Sequence, residues 1–373
     1  MGARMRLFWH KEPFDLEGTE QLFTAAIRQN AAYHMRHCAA YRSIAEAEHF
    51  RPNLVQTLPD IAKLPLLPTA LFKRHALFSM PKWRIPVKAT SHGTSGNFSR
   101  IGLDTGSLLA GLGMVLRMAR TRGLLSLRPV NYIILGYKPH RGHHMAVMKT
   151  AYGSTFLAPA PHRVYALKPQ GDTYQPDLEG VLDALHRFSG QRHPVRFMGF
   201  PSYLWFLLQM MEERGMRCPL PPGSKIMLGG GWKQHYREQV EKPVLYDLVK
   251  RLLDVDETEI IEFFGAAEHP ILFTDCPYHH FHVPIYSRVL IRDVHSLEVL
   301  PTGQTGLVNL ITPMLNAVPV TSIMTDDLGV LHEGTECPCG CKAPYLEIIG
   351  RVGLPDIKTC AAGASDILKG VDA

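Results

Sequence analysis

The run Thr90-Ser91-His92-Gly93-Thr94-Ser95-Gly96-Asn97-Phe98-Ser99-Arg100 packs two glycines, five hydroxyls and a terminal cation into one short stretch. Glycines let a backbone approach closely and turn its N–H groups inward, hydroxyls add donors, and Arg100 supplies positive charge. That combination suits a loop wrapped around phosphates. The same residues would also make an ordinary turn between two elements. The run fits neither GxxxxGK[ST] nor GxGxxG, so by itself it indicates phosphate and nothing narrower.

Three further stretches could add to it. Gly229-Gly230-Gly231-Trp232-Lys233 sets an aromatic face and a cation at a strand end, suited to a nucleobase and a phosphate or carboxylate. Glu262-Phe263-Phe264-Gly265-Ala266-Ala267-Glu268 places a carboxylate past another strand end, where it could hold Mg²⁺ beside phosphates. Thr325-Asp326-Asp327-Leu328-Gly329 with Gly350-Arg351 offers carboxylates for ribose hydroxyls and a nearby guanidinium. Each has a plainer reading: Trp232 in a core, Asp326-Asp327 in a β-turn closed by Gly329, Arg351 in a surface ion pair.

A separate set has the look of a metal centre. Cys337-Pro338-Cys339-Gly340-Cys341 is a tight thiol cluster, and upstream Cys276 is followed by His279, His280 and His282. Two sulfurs from a C-x-C turn with one Cys/His pair suit tetrahedral Zn²⁺ with no open position, hence a structural ion. The expected ligands are Cys276, His282, Cys337 and Cys339, with His280 or Cys341 as substitutes. Free reduced cysteines are the alternative.

These groups need elements to hold them. Phe23, Ile27, Ala31, Met35 and Cys38 form one helical stripe, and Trp83 to Ala89 alternates like a strand. Leu108, Leu112, Val115 and Met118 mark a helix that Gly123 ends. Val130 to Tyr137, Val195 to Phe200, Lys225 to Leu228 and Ile260 to Phe264 read as buried strands alternating with helices and glycine turns. That order predicts an α/β body with a largely parallel sheet whose ligands sit at the strand ends. Beyond residue 283, Arg288 to Ile291, Leu297 to Leu300, Gly306 to Ile311, Val320 to Met324 and Tyr345 to Ile349 predict an antiparallel β subdomain. Residues 1–283, 284–353 and 354–373 are the expected core, β-rich subdomain and short tail.

The totals narrow the class. A chain of 373 residues, 46% hydrophobic and 20% charged, fits an ordinary globular enzyme. Its formal charge of +6 is not gathered into a Lys/Arg face of the kind nucleic-acid binders carry. No apolar run approaches the ~20 residues that span a bilayer, and the N-terminus lacks the apolar core of a signal peptide. Seven cysteines, three of them crowded together, argue against a secreted disulfide framework and for a reducing cytoplasm.

Taken in order, the motifs resemble the adenylate-forming superfamily of acyl- and aryl-acid ligases. Its phosphate loop, [ST]-[ST]-G-[ST]-[ST]-G, is matched by Ser91 to Gly96 except for His92. Its aromatic-Gly-x-x-Glu motif falls on Phe264, Gly265 and Glu268, with Ala266 between. The ribose aspartate falls on Asp327, with Asp326 in the place of a glycine, and the hinge arginine falls on Arg351. Leu64-Pro65-Leu66-Leu67-Pro68 with Phe72-Lys73, Leu103-Asp104 and Gly230-Gly231-Trp232-Lys233 resemble the LuxE-like acyl-protein synthetases, with phenylacetate-CoA-ligase-like enzymes as next neighbours.

The resemblance implies the superfamily's N-terminal fold, mixed sheets flanked by helices plus an antiparallel β subdomain, with the C-terminal lid absent or reduced to a stub. It implies attack of a carboxylate on the α-phosphate of ATP in the presence of Mg²⁺, with Arg100, Lys233 or Lys358 supplying a cation. It places acid-binding residues at Gly199, Phe200 and Tyr203. It implies acyl transfer to a thiol, Cys360 standing where LuxE-like proteins carry their own acceptor cysteine, and some phenylacetate-ligase-like enzymes bear a similar Cys/His site. An acceptor protein, a carrier protein or CoA is the expected partner. The alternatives are a ligase passing the acyl group to CoA, a carrier or an amine, and a non-catalytic zinc-stabilised nucleotide-binding subunit.

Overall fold

The computed structural model describes residues 1–90, 98–140, 146–171, 173–232, 235 and 238–351. In chain order the helices and strands begin with α1 (Ala3–Phe8), α2 (Leu16–His37), α3 (Ala39–Ala47), β1 (Leu67–Pro68), α4 (Thr69–Arg74), β2 (Val87–Thr90), β3 (Arg100–Leu103) and α5 (Thr105–Thr121). There follow β4 (Asn131–Tyr137), α6 (Ala146–Ser154), β5 (Arg163–Gln170), β6 (Thr173–Pro176), α7 (Leu178–Ser189), β7 (Val195–Gly199), α8 (Pro201–Glu213), β8 (Lys225–Gly229) and α9 (Lys242–Leu253). The last are β9 (Ile260–Ala266), β10 (His269–Thr274), β11 (Phe281–His282), β12 (Arg288–Arg292), β13 (Thr305–Ile311), β14 (Ser322–His332) and β15 (Tyr345–Arg351). Two compact units result: Met1–Met118, Gly265–Phe273 and His280–Ala373 form the first, Ala119–Phe264 and Thr274–His279 the second. Among the described residues no helix is long and apolar enough to cross a membrane.

A seven-stranded sheet runs in the order β10-β9-β8-β7-β4-β5-β6. Strands β5, β4, β7, β8 and β9 pair in parallel, as the alternation of strand and helix requires. Both faces are covered, so β4 is buried at six successive residues instead of alternating. Phe188, Phe197, Leu204, Leu208, Val249 and Leu253 pack one face, and Leu124, Tyr132, Met198 and Met227 belong to the core of the other. Each such side chain removed from water contributes about 1.5–3 kcal/mol. Asp177 caps α7 by accepting from the Gly180 N–H, and Pro243 opens α9 at a position where its missing N–H costs nothing.

The first unit is built on the sheet β11-β15-β14-β13-β12, antiparallel throughout, with β1 joined in parallel to β14. Helix α2 buries Phe23, Ile27, Ala31 and, in place of the expected Met35, His34. The His34 Nδ1 lies 2.7 Å from Ser79 Oγ and its Nε2 3.1 Å from the Leu315 carbonyl, so the ring is satisfied inside the core. Burial holds it down to about 3, and it stays neutral.

Three local expectations are corrected. Residues 82–84 form a 3₁₀ turn with Trp83 82% exposed, and the strand starts only at Val87. Helix α5 buries Ser107, Ala110, Met114 and Met118 while Leu112 is exposed, a stripe rotated from the expected one. Leu297 to Leu300 is not a strand. Leu297 takes a left-handed φ of 61°, and only Val299 bridges back, to Arg292. A β-branched-looking run there loses to the tight turn that Asp293 closes by accepting from the N–H groups of His295 and Ser296.

Candidate functional site

In the second unit, the expected acid-binding turn sits at the end of a parallel strand. Gly199 ends β7 with φ 143°, and a Cβ there would lie 2.3 Å from the Leu135 carbonyl oxygen. Only glycine fits. The Phe200 N–H then donates to that same carbonyl at 3.0 Å, turning the chain into α8. Phe200 is buried, and its ring stands edge-on to Tyr137 at 5.9 Å and 6.3 Å from Tyr203. Tyr137 in turn meets Tyr174 at 4.9 Å, so four aromatic rings line up beyond the ends of β4 and β7. Burial raises the phenols of Tyr137, Tyr174 and Tyr203 and keeps them protonated. The sequence reading missed Tyr137 and Tyr174. The apolar run ending in Tyr137 was the available signal for the first, and nothing local marked the second.

At the end of β8, Gly230 and Gly231 take φ of 80° and 66°, and a Cβ on Gly231 would meet nothing within 4 Å. These glycines are required by backbone turn, not by crowding. Trp232 follows, half-buried, and Phe264 on β9 is likewise half-buried.

The first unit carries the remaining groups. Thr90 and Arg100 are opposed at the end of the antiparallel pair β2–β3, and Arg100 is exposed. Past β3, buried Asp104 caps α5 by accepting from the Ser107 N–H and hydroxyl. Gly265 and Ala266 close β9, and a two-residue turn, Ala267-Glu268, leads into β10. Glu268 is 5% exposed at the turn between β9 and β10.

Asp327 and Arg351 are cross-strand partners on β14 and β15, next to a bulge at Leu328/Gly329 that skips Ile349. The Asp327 residue is 8% exposed, and its N–H donates to Thr325 Oγ1 at 3.2 Å. The alternative β-turn reading is overturned: β14 runs unbroken through Asp326, Asp327 and Gly329. Gly329 is there because a Cβ would lie 2.6 Å from the Glu347 carbonyl.

His282, Cys337 and Cys339, three of the four expected metal ligands, lie together in the first unit, and Cys276 belongs to the second. His282 Nδ1 donates to the Ala343 carbonyl at 2.6 Å, which leaves the Nε2 lone pair facing Cys339 Sγ at 3.2 Å. The Cys337 and Cys339 sulfurs are 3.3 Å apart. Cys276 and Cys339 each accept an N–H from two residues onward, Tyr278 and Cys341. His280 Nδ1 sits 3.1 Å from Cys337 Sγ, with its ring stacked on Tyr345 at 4.1 Å. None of the six described cysteines is in a disulfide. Two thiols and an imidazole are the donor types that a soft metal such as zinc takes.

Ser91, His92, Gly93, Thr94, Ser95, Gly96, Lys233, Lys358 and Cys360 lie outside the described residues.

A family model described as acyl-protein synthetase, LuxE, matches residues 5–369. The chain belongs to the LuxE acyl-protein synthetase family. It is therefore an AMP-forming ligase, activating a carboxylic acid with ATP and passing the acyl group to a thiol. The long-chain-fatty-acid–luciferin-component ligase of Aliivibrio fischeri is 24% identical over 367 residues, covering 96% of this chain and 92% of its own. Phenylacetate-coenzyme A ligase of Aromatoleum evansii is 24% identical over 335 residues, or 85% of this chain and 69% of that protein. Among solved structures, 2-hydroxyisobutyryl-CoA ligase in complex with 2-HIB-AMP aligns with a TM-score of 0.69 at 16% identity, covering 92% of this chain and 70% of that one. The fold is that of the adenylate-forming ligases, in which the mixed α/β core and the antiparallel β region were both expected.

Proposed function

We propose that this synthetase activates a long-chain fatty acid and carries the acyl group on the Cys360 sulfur before delivering it to an acceptor protein. The observation that carries this reading is the family match, which runs without interruption from before the Ser91–Gly96 loop to beyond Cys360. The fatty chain is supported by the relatives' named substrate and by the aromatic row Phe200, Tyr203, Tyr137 and Tyr174, whose apolar rings offer a wall for methylenes.

In this reading a carboxylate oxygen attacks the α-phosphorus of ATP, the bond to pyrophosphate breaks, and acyl-AMP remains. The Ser91, His92, Gly93, Thr94, Ser95 and Gly96 loop and the cations Arg100 and Lys233 hold the pyrophosphate portion and stabilise its leaving charge. Gly230, Gly231, Trp232, Phe264, Gly265 and Ala266 frame the adenine, while Asp327 accepts from ribose hydroxyls with Arg351 beside it. Glu268, a carboxylate that is 5% exposed just past the end of β9, is where Mg²⁺ would be held, neutralising phosphate charge. The Cys360 thiolate then attacks the acyl carbon and AMP leaves, with Lys358 favouring ionisation of the thiol.

Zinc on Cys276, His282, Cys337 and Cys339 is the structural ion of this reading, and reduced thiols in that role suit a cytoplasmic enzyme. Purified protein should contain one zinc per chain, lost on replacing Cys337 and Cys339 by serine. Protein without stoichiometric metal would remove zinc from the account.

Transfer to CoA or a carrier-protein thiol is the second reading, favoured by the likeness to phenylacetate-coenzyme A ligase. One experiment separates them. With ATP and radiolabelled fatty acid, Cys360→Ser should retain acid-dependent ATP–pyrophosphate exchange while losing hydroxylamine-labile acyl label. Label that persists on the variant rejects Cys360 as acceptor and leaves the second reading.

A further inference from the structure

Glu268 sits in the two-residue turn between β9 and β10. The next residue, His269, is fully buried at the start of β10. An apolar residue would fill that core position without burying ring nitrogens, so the imidazole calls for a reason.

Its contacts supply one. His269 Nε2 lies 2.9 Å from Ser287 Oγ. Ser287 has a single hydroxyl hydrogen and directs it at backbone carbonyls, Ile311 at 3.1 Å and Arg288 at 3.3 Å. Its oxygen therefore accepts from His269, which fixes the Nε2–H tautomer. The Nδ1 is left as a buried acceptor with no partner among the described residues. Ile311 ends β13, and β13 pairs with β14, the strand of Asp327. Thr325, two residues before Asp327, donates to the Val308 carbonyl on that same β13. An unbroken set of bonds thus ties the turn of Glu268 to the strand of Asp327, all within the first unit.

We propose that His269 is a positioning residue that holds Glu268 at a fixed place relative to Asp327 by anchoring the β9–β10 turn through Ser287. This rests on the reading of Glu268 as the Mg²⁺ carboxylate. His269 touches no substrate. It acts by keeping a two-residue turn from swinging.

The test is Mg²⁺-dependent ATP–pyrophosphate exchange with a saturating fatty acid, in wild type, His269→Phe, His269→Gln, Glu268→Gln and the double variant Glu268→Gln/His269→Phe. His269→Phe should raise by about tenfold both the Mg²⁺ concentration for half-maximal exchange and the Mg²⁺ concentration that half-maximally stabilises the ATP-bound protein against thermal unfolding, as loss of outer-shell support does, with the KM for the acid unchanged. His269→Gln, whose amide can still donate to Ser287, should recover most of the loss. The double variant should be no worse than Glu268→Gln alone, because a residue acting only through Glu268 has nothing left to act on. Losses that multiply in the double variant overturn the proposal, as does a His269→Phe protein with wild-type Mg²⁺ dependence. If His269→Phe does not fold, Ser287→Ala removes the same anchor and must show the same Mg²⁺ shift. A Glu268→Gln protein with undisturbed Mg²⁺ dependence would sink the underlying reading of Glu268 instead.

Discussion

The two units position chemical groups by different means. In the second, the end of a parallel strand is shaped by backbone: Gly199 is squeezed against the Leu135 carbonyl, and Gly230 and Gly231 turn in the left-handed region. In the first, side chains are set by antiparallel register, Asp327 opposite Arg351 and Thr90 opposite Arg100. Parallel strands release their ligand-facing residues only where they stop, so the turn itself must be right. Antiparallel strands can present a side chain mid-strand, so the residue matters more than the path. Substitutions should consequently fail in different ways, through folding in the second unit and through chemistry in the first.

The largest effect is expected at Gly199. An alanine Cβ would sit 2.3 Å from a backbone oxygen that is itself bonded to the Phe200 N–H, and φ 143° is a region L side chains rarely occupy. Neither neighbour is a flexible side chain that can move aside. Gly199→Ala should lose about 3 kcal/mol or more of stability, lowering the midpoint of thermal unfolding by roughly 4 °C or more for a chain of 373 residues. Calorimetry or far-UV circular dichroism against temperature reads this directly. A Gly199→Ala protein with wild-type unfolding and only altered fatty-acid preference would break the comparison, because position would then be set by side chain in both units.

The same contrast explains what could be read from sequence. Parallel strands buried on both faces write themselves as continuous apolar runs closed by glycine, so β4, β7, β8 and β9 were visible. The nearness of His282, Cys337 and Cys339 in the first unit was equally open to reading, since Cys and His are few and the C-x-C spacing is local. Register is not local. Nothing in Thr325–Gly329 distinguishes a turn from the middle of an eleven-residue strand, because the deciding contact is the approach of the Glu347 carbonyl to Gly329 from another strand. His269 was illegible for a related reason. A single histidine beside Glu268 becomes meaningful only when Ser287 and Ile311, distant in sequence, are seen to complete its bonds. Met35 lost its place to His34 in the same way, by a partner, Ser79, that the helical period cannot know about.

Asp327 offers the sharper and smaller test from the other side of the comparison. Asparagine has the same shape, keeps one carbonyl oxygen as acceptor, and leaves the main-chain bond from the Asp327 N–H to Thr325 in place. Strand β14 is held along its length by β13 and β15, so one changed atom should not disturb it. On the proposed role, what is lost is the charge that strengthens acceptance from two ribose hydroxyls, a difference on the order of 1.5–3 kcal/mol for hydrogen bonds to a charged group. Asp327→Asn should therefore raise the KM for ATP by roughly 10- to 100-fold with little change in unfolding temperature. The KM for the acid should stay where it was, because the proposed role of Asp327 is toward ribose alone. Steady-state exchange kinetics with ATP and acid varied in turn give both constants. An unchanged KM for ATP would mean that register alone does not make Asp327 a ribose ligand, and a large fall in stability with no change in KM would make the first unit as dependent on backbone shape as the second.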